Sequence, residues 1–170
     1  MHIIIRDEEP RDFETIKTIL LQAFEGHPHS DQTEYRLVEL LREQNAMTVA
    51  FVAEKNGMVV GHIAFSPVTI DGKEMSWFAL GPVAVRPDLQ KQGIGSQLIH
   101  AGLEALKQKN ASGCLLVGYP EYYNRFGFLS QEKIVYEKVP NEYLLVLPFN
   151  NEIPSGIVYF HSAFEDCSRK

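Results

Sequence analysis

The stretch Leu80-Gly81-Pro82-Val83-Ala84-Val85-Arg86-Pro87-Asp88-Leu89-Gln90-Lys91-Gln92-Gly93-Ile94-Gly95-Ser96 decides how the rest of the 170-residue chain is read. Its first part is apolar and rich in valine, and it reads as the end of a strand at Val85. A turn follows. After Gly93, the residues Ile94, Leu98, Ala101, Leu103 and Leu106 supply a buried side, which predicts a helix to about Lys109. A helix start leaves backbone N–H groups without partners, and the helix dipole there favours an anion. Glycine lets the backbone come close to a pyrophosphate, and Lys91 puts a cation nearby. The physics describes a phosphate cradle, although a Gly-x-Gly turn fits a bare strand-to-helix corner equally well. The dinucleotide fingerprint needs a small residue at position 98, which is Leu, and no Gly-Lys-Ser/Thr occurs for a Walker loop.

Working outward, Lys73–Val85 reads as one long strand whose Gly81-Pro82 implies a bulge or an opened edge, since proline cannot donate to a ladder. Asn56-Gly57 is a two-residue hairpin turn between Thr48–Lys55 and Met58–Ser66, and Asp71-Gly72 marks a second turn. Toward the start, His2–Arg6 reads as a strand. Pro10 opens a helix that stops near Gly26. Asp31 with Glu34 resembles a capping box for a second helix carrying Tyr35, Val38 and Leu41. Toward the end, Ser112–Gly118 is a short apolar strand and Pro120–Phe126 one or two helical turns. Lys133–Phe164 alternates around Pro140, Pro148 and Pro154 as two or more strands. No repeat or linker interrupts the chain, so one domain, 1–170, is expected.

Composition narrows the function classes. Hydrophobic residues make up 45% and charged residues 22%, which suits a packed core rather than disorder. A formal net charge of -6 argues against a generic nucleic-acid binder and suits a cationic acceptor. No apolar run reaches the roughly 18 residues of a membrane span, and Met1–Asp7 lacks a signal-peptide pattern, so a cytoplasmic protein is expected. Cys114 and Cys167 form no close-spaced pair and read as free thiols. The His27-Pro28-His29 and Asp31 cluster lacks a matching second ligand pair and reads as a loop, so no metal is expected.

The pattern Gln90-Lys91-Gln92-Gly93-Ile94-Gly95 resembles the pyrophosphate loop of the GNAT-type N-acetyltransferases. Tyr122-Tyr123-Asn124-Arg125-Phe126-Gly127-Phe128 resembles the Tyr-x-x-x-Gly-Phe segment that follows the fifth strand in that family. One helix and one strand separate the two motifs, as in the family. The phrases Val60-Gly61-His62-Ile63, Phe65-Ser66-Pro67-Val68 and Gly81–Val85 look most like its YhbS-like branch, whose substrates are largely undefined. The resemblance implies an α/β (α+β) fold. Its mixed, mostly antiparallel sheet has about seven strands flanked by about four helices, and strands 4 and 5 splay apart. It implies acetyl-CoA as co-substrate. The backbone of Val83, Ala84 and Val85 would pair with the pantetheine arm as if it were a strand. The amides of Gln90, Lys91, Gln92, Gly93, Ile94, Gly95 and Ser96 would hold the pyrophosphate, with Asn124 a further contact. A neutral amine would attack the thioester, a backbone N–H near Pro82-Val83 would steady the oxyanion, and Tyr123 would give its proton to the leaving thiolate. A phenol has a reference pKa of about 10, so it holds that proton at neutral pH.

The amine side is less defined. Histone-acetylating relatives carry a glutamate eleven positions before the glutamine of the loop, and here that position is Ala79. Glu25, His27, His29, His62 and Glu74 are base candidates by topology alone. The acceptor is expected to be a small-molecule amine or an exposed protein amine. A different acyl-CoA or acceptor, and a non-catalytic CoA-binding module of the same fold, stay open as alternatives. Gly156–Phe164 suits either an acceptor-pocket wall or a homodimer edge.

Overall fold

The computed structural model describes residues 2–169. In chain order it forms β1 (Ile3–Asp7), α1 (Phe13–Phe24), α2 (Glu34–Glu43), β2 (Val49–Lys55), β3 (Met58–Ile70), β4 (Lys73–Val85), α3 (Ile94–Gln108) and β5 (Gly113–Val117). Then come α4 (Pro120–Tyr123), β6 (Ile134–Val135), β7 (Leu144–Pro148), β8 (Gly156–Tyr159) and α5 (Ala163–Asp166). The main sheet runs β1-β2-β3-β4-β5-β7, with β8 added to the far end of β3 and β6 beside β8. Neighbours along the main path are antiparallel except β4 and β5, which are parallel. The sheet has eight strands and the described residues five α-helices, one more of each than the rounded counts read from the resemblance. The additions are short: β6 has two residues, and α4 and α5 have four each.

Local chemistry explains the hairpins. Asn56 and Gly57 take φ of 53° and 78°, and Asp71 and Gly72 repeat those values. Turns with two left-handed residues match the twist of the flanking strands. At Gly81-Pro82 the register of β3 against β4 slips, Phe65 facing Leu80 but Ile63 facing Val83, so the expected bulge is present.

Two boundaries differ from the sequence expectation. Strand β3 runs through Pro67 to Ile70 instead of ending at Ser66. The first β2 residue, Val49, faces Phe65, so no β2 residue pairs with β3 at Pro67 and the missing N–H breaks no ladder bond. That free edge accepts β8, with Thr69 facing Tyr159. Asp31 does not cap α2, because Gln32 turns the chain at φ 66° and Thr33 becomes the cap. Asp31 instead accepts hydrogen bonds from the Thr33 amide at 3.1 Å and the Ser168 hydroxyl at 2.6 Å.

The sheet is covered on both faces. Helix α3 lays Leu98, Ile99, Leu103 and Leu106 against Ile63, Phe65 and Leu116. Helices α1 and α2 cover the other face with Ile16, Ile19, Leu20 and Val38 over Val52 and Ala84. Gly102 sets how closely α3 approaches, since a Cβ there would stand 2.1 Å from Cε1 of the buried Phe65. Gly102→Ala therefore lowers stability by about 1–3 kcal/mol through overpacking, despite a helix-propensity gain of up to about 1 kcal/mol. Urea denaturation of the two proteins checks the sign.

Candidate active site

The ladder between β4 and β5 has three residue pairs, from Trp77 with Gly113 to Ala79 with Leu115. Past Ala79 the two strands part. Among the described residues, Leu80–Val85 then carries no strand on the edge that faced β5. A cavity of about 570 Å³ opens there, walled by Val83, Ala84 and Val85 and by the end of α1 at Ala23 and Phe24. An open strand edge beside a cavity is a place where an extended polar chain can hydrogen-bond as an added strand.

The floor of this cavity is the turn into α3. Gln90 donates from Nε2 to the Val85 carbonyl at 3.1 Å and ties the turn to the strand end. Lys91 and Gly93 take left-handed φ of 64° and 88°, and Gly93 is the residue before the helix. The first helical bond runs from the Gln97 amide to the Gly93 carbonyl at 3.1 Å. The amides of Ile94, Gly95 and Ser96 therefore lie ahead of the hydrogen-bond ladder, and all three residues line the cavity. No acidic side chain occupies the first turn of this 15-residue helix. Its positive dipole end is left for an external anion.

A family profile for the acetyltransferase (GNAT) domain matches residues 5–130. The chain belongs to the GNAT acetyltransferase family. It is 35% identical over 127 residues to the uncharacterized N-acetyltransferase YhbS of Escherichia coli strain K12, covering 74% of this chain and 73% of that protein. Its fold is similar to that of a GNAT family acetyltransferase from Brucella melitensis in complex with acetyl-CoA. That match has 42% identity and a TM-score of 0.87, over 96% of this chain and 98% of the other. The crystal structure of E. coli YhbS in complex with CoA gives 29% identity and a TM-score of 0.84, covering 97% and 93%.

The family resemblance singles out residues that the fold now locates. Val83, Ala84, Val85, Gln90, Lys91, Gly93, Ile94, Gly95 and Ser96 share the first cavity. Gln92 and Asn124 are exposed and lie outside its walls. Tyr123 is half-buried, with its ring against Gly118 and close to Phe126 and Phe128. Burial, with a smaller contribution from Tyr122, pushes its phenol up to about 12. Two further residues of the Tyr122–Phe128 motif, Tyr122 and Arg125, also line this cavity. The Tyr122 hydroxyl stands 3.5 Å from where a Cβ on Gly95 would be. Arg125 donates from Nε to the Tyr122 carbonyl at 2.8 Å, with its guanidinium 4.5 Å from the Tyr122 ring centre. Helix α4 and the 3-10 turn that follows it at Asn124–Phe126 carry the two side chains to the cavity wall.

The base candidates separate as well. His62 is wholly buried, donates from Nε2 to the Glu8 carboxylate at 2.8 Å, and lines neither this cavity nor the one at His27 and His29. Glu74 faces Thr69 at the opposite end of β4 from Val85. Glu25 is the exposed residue after α1. His27 and His29 line a second cavity of about 500 Å³, together with Val117, Gly118, Tyr119 and Tyr143. Ala79 is fully buried between Ser66 and Leu115 and offers no proton acceptor. Among the described residues no cluster of three metal-ligating side chains occurs, and no helix is long and apolar enough to cross a membrane.

Proposed function

We propose that the chain transfers an acetyl group from acetyl-CoA to a primary amine by direct attack on the thioester, and that it does so in the cytoplasm. The observation that carries the reading is the joining of an open β4 edge to an uncompensated α3 N-terminus in one cavity. The residues present fit the co-substrate. The Ile94, Gly95 and Ser96 amides suit the pyrophosphate, with the Lys91 and Arg125 cations beside it. Space around Gly93 is open, so backbone and anion can approach closely. Val83–Val85 suits the amide-bearing pantetheine arm. When bound, acetyl-CoA supplies an activated acyl group on a good leaving thiol.

Tyr123 supports the proton side of this reading. Its raised pKa keeps the hydroxyl protonated at neutral pH, which a donor to the departing sulfur requires. The same shift makes it a weaker acid. Its donation is therefore coupled to recovery of a proton from the newly acylated, cationic nitrogen. The C–N bond forms, the C–S bond breaks, and Tyr123 ends the cycle protonated. Ala79 in place of a glutamate is compatible with a CoA-binding module without turnover, and thiol release separates the two. Acetyl-CoA with a set of primary amines should release free thiol in an amine-dependent manner. Saturable acetyl-CoA binding without thiol release for any amine would leave only the binding module.

A further inference from the structure

We infer that the second cavity is the acceptor pocket for a small primary alkylamine that carries an aromatic ring, with His29 as the base that takes the amine's proton. The inference rests on the N-acetyltransferase reading above and adds the acceptor class and the base.

Position comes first. Val117 and Gly118 end β5, the strand that parts from β4 beyond Ala79. The second cavity thus lies at the end of β5, while the first lies along the β4 edge that β5 leaves. The Tyr123 ring lies against Gly118, where an added Cβ would be 2.7 Å from Cε2. The proposed acid lines neither cavity but lies between them, against Gly118 of the second and with its ring centre 4.9 Å from that of Tyr122 in the first. Phe24 of the first cavity meets His27 of the second edge-on, with ring centres 6.0 Å apart.

The wall chemistry gives the acceptor class. Tyr119 and Tyr143 meet at right angles with centres 6.0 Å apart, and His29 lies 6.0 Å from Tyr119. Val117 and Tyr119 are 42% and 46% exposed, so apolar surface is left for a ligand to cover. An aromatic ring fits such walls by edge-to-face packing. The cavity is of ordinary size for a small ligand. None of its lining residues is Asp, Glu, Lys or Arg. A polyamine or an amino sugar carries further ammonium groups that need carboxylate partners when desolvated, and these walls supply none. The net charge of -6, which suggested a cationic acceptor, is not expressed at this cavity.

The two histidines differ. The His29 amide donates to Nδ1 of His27 at 3.3 Å. Neutral His27 then carries its proton on Nε2 and presents a donor. His29 is the lining imidazole left with a ring nitrogen to accept a proton. His29 takes a proton from the bound ammonium and passes it to solvent. The freed lone pair attacks the thioester carbonyl carbon, the C–N bond forms and the C–S bond breaks. Tyr123 protonates the sulfur and regains a proton from the acylated nitrogen. The net products are an amide, a free thiol and one solvent proton.

The test is thiol release by the full chain with acetyl-CoA and 2-phenylethylamine, tryptamine, spermidine or an alanine-terminated peptide. The two aromatic amines should have the highest kcat/KM. Tyr119→Ala should raise KM for 2-phenylethylamine about tenfold. His29→Ala should lower kcat about 100-fold with unchanged acetyl-CoA affinity, and added imidazole should restore part of it. Better turnover of spermidine or the peptide overturns the aromatic acceptor and leaves the transferase reading standing. Unchanged kcat in His29→Ala, or no imidazole rescue, overturns the base. Acetyl-CoA binding with no thiol release from any amine removes the transferase reading, and the acceptor pocket with it.

Discussion

Tyr123→Phe lowers kcat on a turned-over amine by about 10²–10⁴-fold, the usual contribution of a positioned proton donor, and leaves acetyl-CoA affinity unchanged. The ring keeps its contacts with Gly118, Phe126 and Phe128, so the local fold is retained. Tyr123 does not line the cavity formed by Val83–Val85 and the α3 start, so the substitution removes the proton donor to the sulfur and leaves the proposed pantetheine and pyrophosphate contacts in place. With the phenol raised to about 12 by burial, the wild type loses no activity through its ionisation near neutral pH. Steady-state thiol release and calorimetric titration separate kcat from binding. Unchanged kcat in Tyr123→Phe refutes the acid role. A parallel loss of acetyl-CoA affinity would instead reassign Tyr123 to the cofactor site.

Glu8→Ala costs about 1.5–3 kcal/mol, as expected when the acceptor of charge-assisted hydrogen bonds in a partly buried cluster is removed. Glu8 follows β1 and accepts from Arg42 Nε of α2 at 2.9 Å, and it pairs with His62 Nε2 of β3 at 2.8 Å. The cluster pins α2 to the sheet beneath α1. Arg42 also lies 3.7 Å over the Phe13 ring. Burial raises the Glu8 carboxyl, but His62 and Arg42 outweigh it and hold it at about 2. The folded pKa is depressed, so the stabilisation is present above the unfolded value of about 4.3. It is lost as pH falls from there toward 2. Part of the fold's stability is therefore acid-labile through Glu8, and solvent around the partly exposed Arg42 partner screens it. Denaturant melts between pH 6 and 3 should show a steeper loss for the wild type than for Glu8→Ala. Parallel curves would remove Glu8 as the source. Since His62 serves this cluster, its substitution should affect stability before chemistry.

The parts of the fold legible in the sequence are those encoded by neighbouring residues. Asn56-Gly57 and Asp71-Gly72 dictate left-handed turns whatever surrounds them, and both hairpins appear. Gly81-Pro82 signals its own bulge. The cradle before α3 is equally local, because glycine φ and the helix start create it. What stayed hidden depends on distant partners. Pro67 reads as a strand stop until β2 is seen to begin at Val49, opposite Phe65, which leaves Pro67 without a β2 partner. The fate of Asp31 turns on Ser168, 137 residues away. Tyr122 and Arg125 gain a place at the cradle only because a short helical turn rotates them toward Gly95. The second cavity draws His27 and His29, Val117–Tyr119, and Val139, Pro140 and Tyr143 together from three separate stretches of chain, a juxtaposition that no local periodicity encodes.

The cradle at Gln90–Gly95 is tested most directly by calorimetric titration of acetyl-CoA into the wild type and Gly95→Glu. A Cβ at Gly95 would make no contact closer than 3.5 Å, so the variant should fold. A carboxylate in the first turn also favours the helix. That same negative charge would meet the pyrophosphate at the amides that should hold it. Saturable one-to-one binding by the wild type, and its loss in a variant at least as stable, is the expected result. No binding to the wild type at millimolar acetyl-CoA, or equal binding by both proteins, would contradict the assignment of this loop as the cofactor site.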